Sequence, residues 1–305
     1  MNLNLNLRRL SYGLGAEIQG LDLSKRMDRG TFDAVHAAWM EHLVLVFPGQ
    51  NLTGKQFADF NAQFGELEIL GSYQGLDEYH HPDSAGVLFV TNRNIRNEPS
   101  RTRDFGRKWH ADRSFVPRSP ISTSLYCQEI PEVGGDTMFA NQYMAYDTLS
   151  DGLKKILEGL SAIHYVGIPG RQNSLQAGLN AAQLAEKFRQ NPPTVQPVVR
   201  VHEVTGRKCL FVSEAVTMSI LGMTEPESHA LLDYLYRHQV RPEFTYRHHY
   251  TVGDVVLWDN RCAMHLAPVD FDRSQPRTML RTSVLGQASG RLLGADDKSA
   301  LLQPS

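Results

Sequence analysis

Short β-forming segments separated by turns dominate the chain from residue 87 onward, and they constrain its fold more than any other feature. These segments cover residues 87–91, 121–127, 137–140, 163–166, 198–201, 210–212, 244–248, 255–258 and 278–285. The regular alternation of strand and helix that builds a parallel sheet is missing. We therefore expect a mainly β fold with flanking helices, a jelly roll of two sheets, whose mouth can hold a metal ion and a small ligand.

Apolar periodicity predicts the remaining elements. They are strands at 3–7, 16–19 and 43–47, and helices at 31–42, at 53–65 and from Thr224 toward His238. Capping-box patterns, Thr53 with Gln56 and Thr224 with Glu227, mark the starts of the last two helices. No repeat or linker divides the 305 residues, so we expect a single domain with a flexible tail at 287–305. Residues 71–108 are predicted to be an active-site lid or a plain surface loop.

Charge and hydropathy exclude several functional classes. The chain has 31 Lys and Arg against 33 Asp and Glu, a net charge of −2, so no overall field attracts nucleic acid or an anionic membrane. The longest aliphatic run, 43–47, is far below the roughly 20 residues that span a bilayer, and we expect no secretory signal, because the N-terminal segment has no continuous apolar core. Three cysteines without a CxxC pair argue against a disulfide framework. We expect a cytoplasmic protein without nucleic-acid or membrane partners.

Two histidines and one aspartate are candidate metal ligands. On a strand, His110 and Asp112 would project from the same face. An isolated His-x-Asp is more often structural than metal-binding, and the chain holds a second one at 81–83, whose proline favours an exposed turn. A further histidine, His265, lies 155 positions after His110 and makes a metal-binding role of His110 and Asp112 the favoured interpretation. Two imidazoles and one carboxylate form the facial triad of non-haem Fe(II), which leaves three coordination positions open.

Arg277 and Arg281 are candidate anion-binding residues. Arg281 lies within the predicted strand 278–285, and Arg277 directly precedes it. Because the two are an even number of residues apart, both side chains would project from the same face if the strand includes Arg277. Two buried guanidinium groups need anionic partners, and the planar fork of arginine suits a carboxylate. A solvated strand edge with two ordinary arginines is the alternative.

The chain resembles the taurine dioxygenase and phenoxyacetate dioxygenase family of Fe(II)- and 2-oxoglutarate-dependent oxygenases. The resemblance covers nearly the whole chain and is carried by WHADRSF, GGDTMFAN, PVVRVHEVTGRKCLFVSE, VGDVVLWDNRCAMH and PRTMLRTSVLG. It implies a double-stranded β-helix, with iron ligands at His110, Asp112 and His265. It implies decarboxylation of 2-oxoglutarate to succinate and CO₂ with O₂ as oxidant. Because related halogenases have a small residue at the position of Asp112, its presence implies oxygenation.

The resemblance also assigns roles to binding residues. Arg277 matches the arginine that binds the distal carboxylate of 2-oxoglutarate, Thr137 matches a threonine that assists it, and Arg281 matches a contact to the substrate anion. Leu70 and Gly106 fall where the taurine branch has a histidine and an asparagine. Taurine itself is therefore doubtful, and a substrate with a larger hydrophobic body is favoured, of the aryloxyalkanoate, alkylsulfate or sulfonate type.

Several alternatives remain open at this point. The same cofactor chemistry could serve desaturation or a tailoring oxidation in a biosynthetic pathway, or the chain could be a non-catalytic jelly-roll binding protein. A zinc hydrolase is disfavoured because no further carboxylate presents itself as general base. Trp109 and Trp258 are either packing residues or an aromatic wall around the metal. His164, His202 and His238 are expected to be structural, and the relatives imply a homo-oligomer.

Overall fold

The computed structural model describes residues 5–70, 76–93, 100, 106–166, 186, 189–190, 192–294 and 297. The strands are β1 (Asn6–Arg9), β2 (Ala16–Gln19), β3 (Val44–Phe47), β4 (His80–His81), β5 (Ser84–Thr91), β6 (Pro120–Glu129), β7 (Thr137–Asn141), β8 (Ser161–His164), β9 (Thr194–Pro197), β10 (Val199–Val201), β11 (Lys208–Leu210), β12 (Thr217–Ile220), β13 (Thr245–His248), β14 (Val255–Asp259), β15 (Ala263–Leu266), β16 (Thr278–Leu285) and β17 (Arg291–Leu292). The helices are α1 (Arg29–His42), α2 (Gly54–Ala62), α3 (Gln142–Asp147), α4 (Asp151–Leu157) and α5 (Glu225–His238).

The chain divides into two compact units. The first comprises Met1–Lys108, Pro120–Asn141 and Glu243–Gly286, and its main sheet has the order β1-β2-β3-β14-β6-β16-β5-β4. Helices α1 and α2 contribute Trp39, Phe57 and Phe60 to a core shared with Leu257 and Leu280 on one face of this sheet. A second sheet, β13-β7-β15, contacts the other face, where the Phe139 ring lies 5.5 Å from that of Trp258.

The second unit comprises Trp109–Ser119, Gln142–Pro242 and Gln287–Ser305. It contains the sheet β12-β8-β9-β17, the hairpin β10-β11 and helices α3, α4 and α5. Helix α5 is tied to β12 by the buried Ser228, whose hydroxyl accepts the Ile220 N–H at 2.7 Å. In the described part of the chain, no helix combines the length and the apolar character needed to cross a membrane.

The mainly β class with flanking helices is confirmed, and most predicted elements are present. The Thr53 capping box opens α2, and the Thr224 N–H donates to Glu227 at the start of α5, both as expected. Helices α3 and α4 and strands β9 and β12 had no clear sequence signal.

Part of the predicted lid forms strands β4 and β5, with the His81-Pro82-Asp83 turn opening β5. Residues 71–75, 94–99 and 101–105 lie outside the described residues, as do 295–296 and 298–305 of the predicted tail. The lid, the tail and the single domain therefore stay predictions.

Candidate active site

His110 and Asp112 lie together in the second unit, but not on a regular strand as the sequence predicted. The Nε2 atom of His110 is 3.7 Å from the nearer Asp112 oxygen. Residues 112–115 form a turn, and Arg113 adopts a left-handed backbone with φ of 48°. The turn changes the chain direction directly after Asp112, so the two-residue period of a strand does not continue past it.

His265 is buried on β15 of the first unit. It is paired in register with Phe139 of β7, and its ring centroid lies 4.6 Å from that of Trp258. Trp258 is itself 1% exposed and donates its indole N–H to Asn260. It therefore packs in the core and also lines the imidazole, whereas Trp109 is half-buried.

The three predicted metal ligands form one candidate group. One ligand atom each from His110, Asp112 and His265 lies within 4.8 Å of the others. Nitrogen and carboxylate donors without a thiolate suit Fe(II) or another divalent first-row ion. The donor set therefore fits the metal that the sequence predicts.

Arg277 is a buried cation in the first unit. Its side chain donates from Nε to the Gly135 carbonyl oxygen at 2.8 Å, and its backbone N–H donates to the Asn92 side chain at 2.8 Å. Burial lowers the pKa of this guanidinium. Among the described residues, no carboxylate lies within ion-pair distance of it. A buried guanidinium of this kind is prepared for an external anion.

Thr137 lies two residues after Gly135, at the start of β7. Its hydroxyl oxygen accepts a hydrogen bond from the Tyr250 hydroxyl at 3.1 Å, and burial raises the pKa of Tyr250, which keeps that donor protonated. Because this bond occupies an acceptor position, the Thr137 O–H is available as a donor. Thr137 and Phe139 share one face of β7, and His265 is paired with Phe139.

Arg281 lies in the middle of β16, where it is half-buried. It is paired in register with Leu88 of β5, and Leu88 belongs to a buried apolar cluster with Leu70, Leu76 and Tyr79. Leu70, which falls where the taurine branch has a histidine, is thus part of an apolar surface. Gly106 has a φ of 76°, a left-handed conformation that favours glycine, and its carbonyl oxygen accepts the Ala267 N–H.

Sequence reasoning missed two residues of this site, Asn92 and Tyr250. The Asn92 amide donates to the carbonyl oxygens of Arg273 and Gln275 and so fixes the segment that leads to Arg277. Tyr250 follows two histidines at the end of a predicted strand, a pattern that gives no signal for a role beside Thr137. The expectation for single histidines is confirmed for His164 and His238, whose ring nitrogens contact hydroxyl or carbonyl groups.

Comparisons with known proteins match nearly the whole chain. Residues 6–283 match the family described as taurine catabolism dioxygenase TauD, TfdA family. An (S)-phenoxypropionate/alpha-ketoglutarate-dioxygenase of Sphingobium herbicidovorans is 33% identical over 89% of this chain and 92% of its own length. An alkylsulfatase of Acinetobacter baylyi is 33% identical over 97% of this chain and 90% of its own.

The fold agrees with that of a solved relative. The crystal structure of AAD-2 in complex with Mn(II) and N-oxalylglycine matches with a TM-score of 0.77 and 30% identity, covering 93% of this chain and 98% of that one. The chain therefore belongs to the TauD, TfdA family and is, as its sequence predicted, an alpha-ketoglutarate-dependent dioxygenase.

Proposed function

We propose that His110, Asp112 and His265 bind one Fe(II) ion, and that Arg277 and Thr137 bind 2-oxoglutarate beside it. The observation that carries this proposal is the buried Arg277 guanidinium, which has no carboxylate partner among the described residues and is bonded to the segment that leads to Thr137. Thr137 in turn shares a sheet face with the residue paired to His265. The ligand atoms of the three metal-binding side chains lie close enough for one ion.

The protein's share of the reaction is binding, orientation and exclusion of water. The Fe(II) centre of this enzyme class supplies the oxidative chemistry with 2-oxoglutarate and O₂. Arg277 offers a fork to the distal carboxylate, and Thr137 donates its O–H to the same group. Phe139 and Trp258 surround His265 with buried aromatic rings and so keep that side of the site dry.

The prime substrate is proposed to be a small organic anion with an apolar body. Arg281 would contact the anionic group, and Leu70, Leu76, Tyr79 and Leu88 would contact the apolar part, since Leu88 is paired with Arg281. This surface offers a small zwitterion such as taurine few polar partners. Aryloxyalkanoates, alkylsulfates and larger sulfonates match it, in agreement with the phenoxypropionate relative.

The proposal also includes a double-stranded β-helix fold and a cytoplasmic location. The two sheets that meet at Phe139 and Trp258 would form the double-stranded β-helix. A cytoplasmic location is supported by three buried cysteines, all within the described residues, that form no disulfide with one another. Self-association, which light scattering can measure, and the lack of nucleic-acid and membrane partners stay predictions.

A succinate-release assay tests the function. The purified chain is supplied with Fe(II), ascorbate and 2-oxoglutarate, and phenoxyalkanoates, alkylsulfates, sulfonates and taurine are compared. We expect at least one anion with an apolar body to give a rate at least about tenfold above taurine, since one polar contact discriminates by this much or more. His110→Ala should abolish turnover. His81→Ala, in the other His-x-Asp sequence, is the matched control and should retain it.

Product analysis separates the alternatives. Mass spectrometry distinguishes a hydroxylated or cleaved product from an alkene, the product of desaturation. A chain that binds 2-oxoglutarate but releases no succinate with any of these anions would be a non-catalytic binding protein, contrary to our proposal.

A further inference from the structure

One face of the sheet β12-β8-β9-β17 carries a row of buried polar side chains that the proposed reaction does not use. Thr217, His164 and Thr194 lie directly opposite one another on three adjacent strands, and Gln196 shares the face of Thr194. All four are at most 1% exposed. We call these four residues the anchor row. Buried polar groups cost free energy unless they are hydrogen-bonded, so their partners explain why they are there.

The partners lie in the segment that follows Asp112. The Gln196 amide donates to the carbonyl oxygen of Ser114 at 3.0 Å and to that of Val116 at 3.3 Å. The Thr194 hydroxyl donates to the Phe115 carbonyl oxygen at 2.8 Å. Three consecutive carbonyl oxygens are therefore held by side chains of one sheet.

His164 holds the same segment through a side chain. Its Nδ1 atom is 3.0 Å from the Ser114 hydroxyl, and its Nε2 atom is 3.2 Å from the Thr217 hydroxyl. Burial lowers the pKa of His164 to about 3, so the ring is neutral, with one nitrogen as donor and the other as acceptor. Phe211 stacks on the ring at 6.0 Å and fixes its plane.

The held segment begins at a strained residue. Arg113 lies between Asp112 and Ser114 and has a φ of 48°, a conformation that costs free energy in a residue with a Cβ atom. Such a conformation persists only when several contacts from surrounding residues hold it in place. The anchor row supplies four hydrogen bonds to the three residues that follow Arg113.

We infer that the anchor row is a set of positioning residues, which hold the Ser114–Val116 backbone and through it fix the metal-binding geometry of His110 and Asp112. This inference rests on the proposed metal site. Metal affinity depends on ligand atoms being held within about 0.5 Å of their bound positions. Loss of one anchor should therefore weaken metal binding without removing a ligand.

Binding of Mn(II) to the full chain, followed by the loss of the free-ion signal in electron paramagnetic resonance, tests the inference without any turnover. We expect His164→Leu to raise the Mn(II) dissociation constant about 10-fold, the lower end of the loss seen when groups that orient metal ligands are removed. His164→Asn keeps a polar atom near Ser114 and should restore the affinity to within about threefold. His238→Leu is the matched control, because this buried histidine contacts the Ala145 carbonyl oxygen instead.

Urea unfolding of each variant shows how much stability it has lost. The inference is overturned if His164→Leu binds Mn(II) like the wild type, or if His238→Leu weakens binding equally at equal loss of stability. If His164→Leu does not fold, Ser114→Ala, which removes only one hydroxyl, decides in the same way: weaker binding supports the inference and unchanged binding overturns it.

His110→Ala separates this inference from the proposed function. If the wild type binds no Mn(II), or if His110→Ala binds it as tightly, the proposed metal site fails and this inference fails with it. If His110→Ala loses binding while His164→Leu and Ser114→Ala do not, the positioning role alone fails.

Discussion

Replacement of Arg277 by methionine should separate binding of 2-oxoglutarate from stability. Methionine fills much of the same volume without charge. The truncation of one partner of a buried, hydrogen-bonded charge pair costs about 2–5 kcal/mol of binding. With about 1.4 kcal/mol for each factor of ten, the dissociation constant of 2-oxoglutarate should rise about 30- to 4,000-fold.

The same substitution should change the stability of the ligand-free protein little, because two effects oppose each other. Burial without a carboxylate partner disfavours the charged guanidinium, as its lowered pKa indicates, so removal of the charge is stabilising. The Gly135 carbonyl oxygen then loses its Nε donor, which costs about 1–3 kcal/mol. We expect the free energy of unfolding to change by no more than about 1 kcal/mol.

Urea unfolding with and without 2-oxoglutarate, in Mn(II) and without oxygen, measures both effects. At 100 times its dissociation constant, 2-oxoglutarate should stabilise the wild type by about 2.7 kcal/mol and Arg277→Met by less than about 1 kcal/mol at the same concentration. Arg8→Met, which removes an exposed ion pair with Glu17, should behave like the wild type. An Arg277→Met variant that binds 2-oxoglutarate as tightly as the wild type would refute the assignment.

Two further predictions concern stability alone. The pKa of His164 is about 3 in the folded chain, against 6.5 for a free side chain. Between pH 6.5 and pH 3 the unfolded chain therefore binds one more proton than the folded chain, so the free energy of unfolding falls as the pH is lowered. Between pH 7 and pH 5 the wild type should lose about 2 kcal/mol more than His164→Leu, as measured by urea unfolding at both pH values. Asp259→Ala should cost about 3–5 kcal/mol in the same assay, because it removes the buried carboxylate that lies 2.6 Å from the buried Arg261 guanidinium; a loss under about 1 kcal/mol would contradict this.

The sequence predicted those features that depend on neighbouring residues. Apolar runs gave β16 with both of its ends, and the Thr53–Gln56 pattern gave the start of α2, because strand alternation and helix caps act over a few residues. The family motifs indicated the three candidate metal ligands and Arg277, and their roles stay predictions. These signals lie within short segments and need no knowledge of the pairing of distant strands.

The features that the sequence did not predict depend on contacts between distant residues. Asn92 is 185 positions from Arg277, and Gln196 is 82 positions from Ser114, so no local pattern marks either pair. The left-handed conformation of Arg113 is another case, since no glycine or asparagine signals it. It is compatible with the fold because distant side chains hold the following residues, and local propensity alone predicts a continuing strand there.

The two arginines differ in how their positions are fixed, and this difference suits their proposed roles. Arg277 precedes β16, and it is held by Asn92 through its backbone and by Gly135 through its side chain. Arg281 depends on the alternation of β16, which stays regular around it because the two irregularities in the pairing with β6 fall at the ends of β16, opposite Gln128 and Ile121 of β6. A group fixed from two sides suits a co-substrate that is the same in every turnover. Arg281 lies on a strand beside an apolar cluster, and its charge stays in place when Leu70, Leu76 or Leu88 is replaced by another residue. We therefore expect differences in substrate between members of this family to correlate with substitutions in the apolar cluster rather than at Arg277.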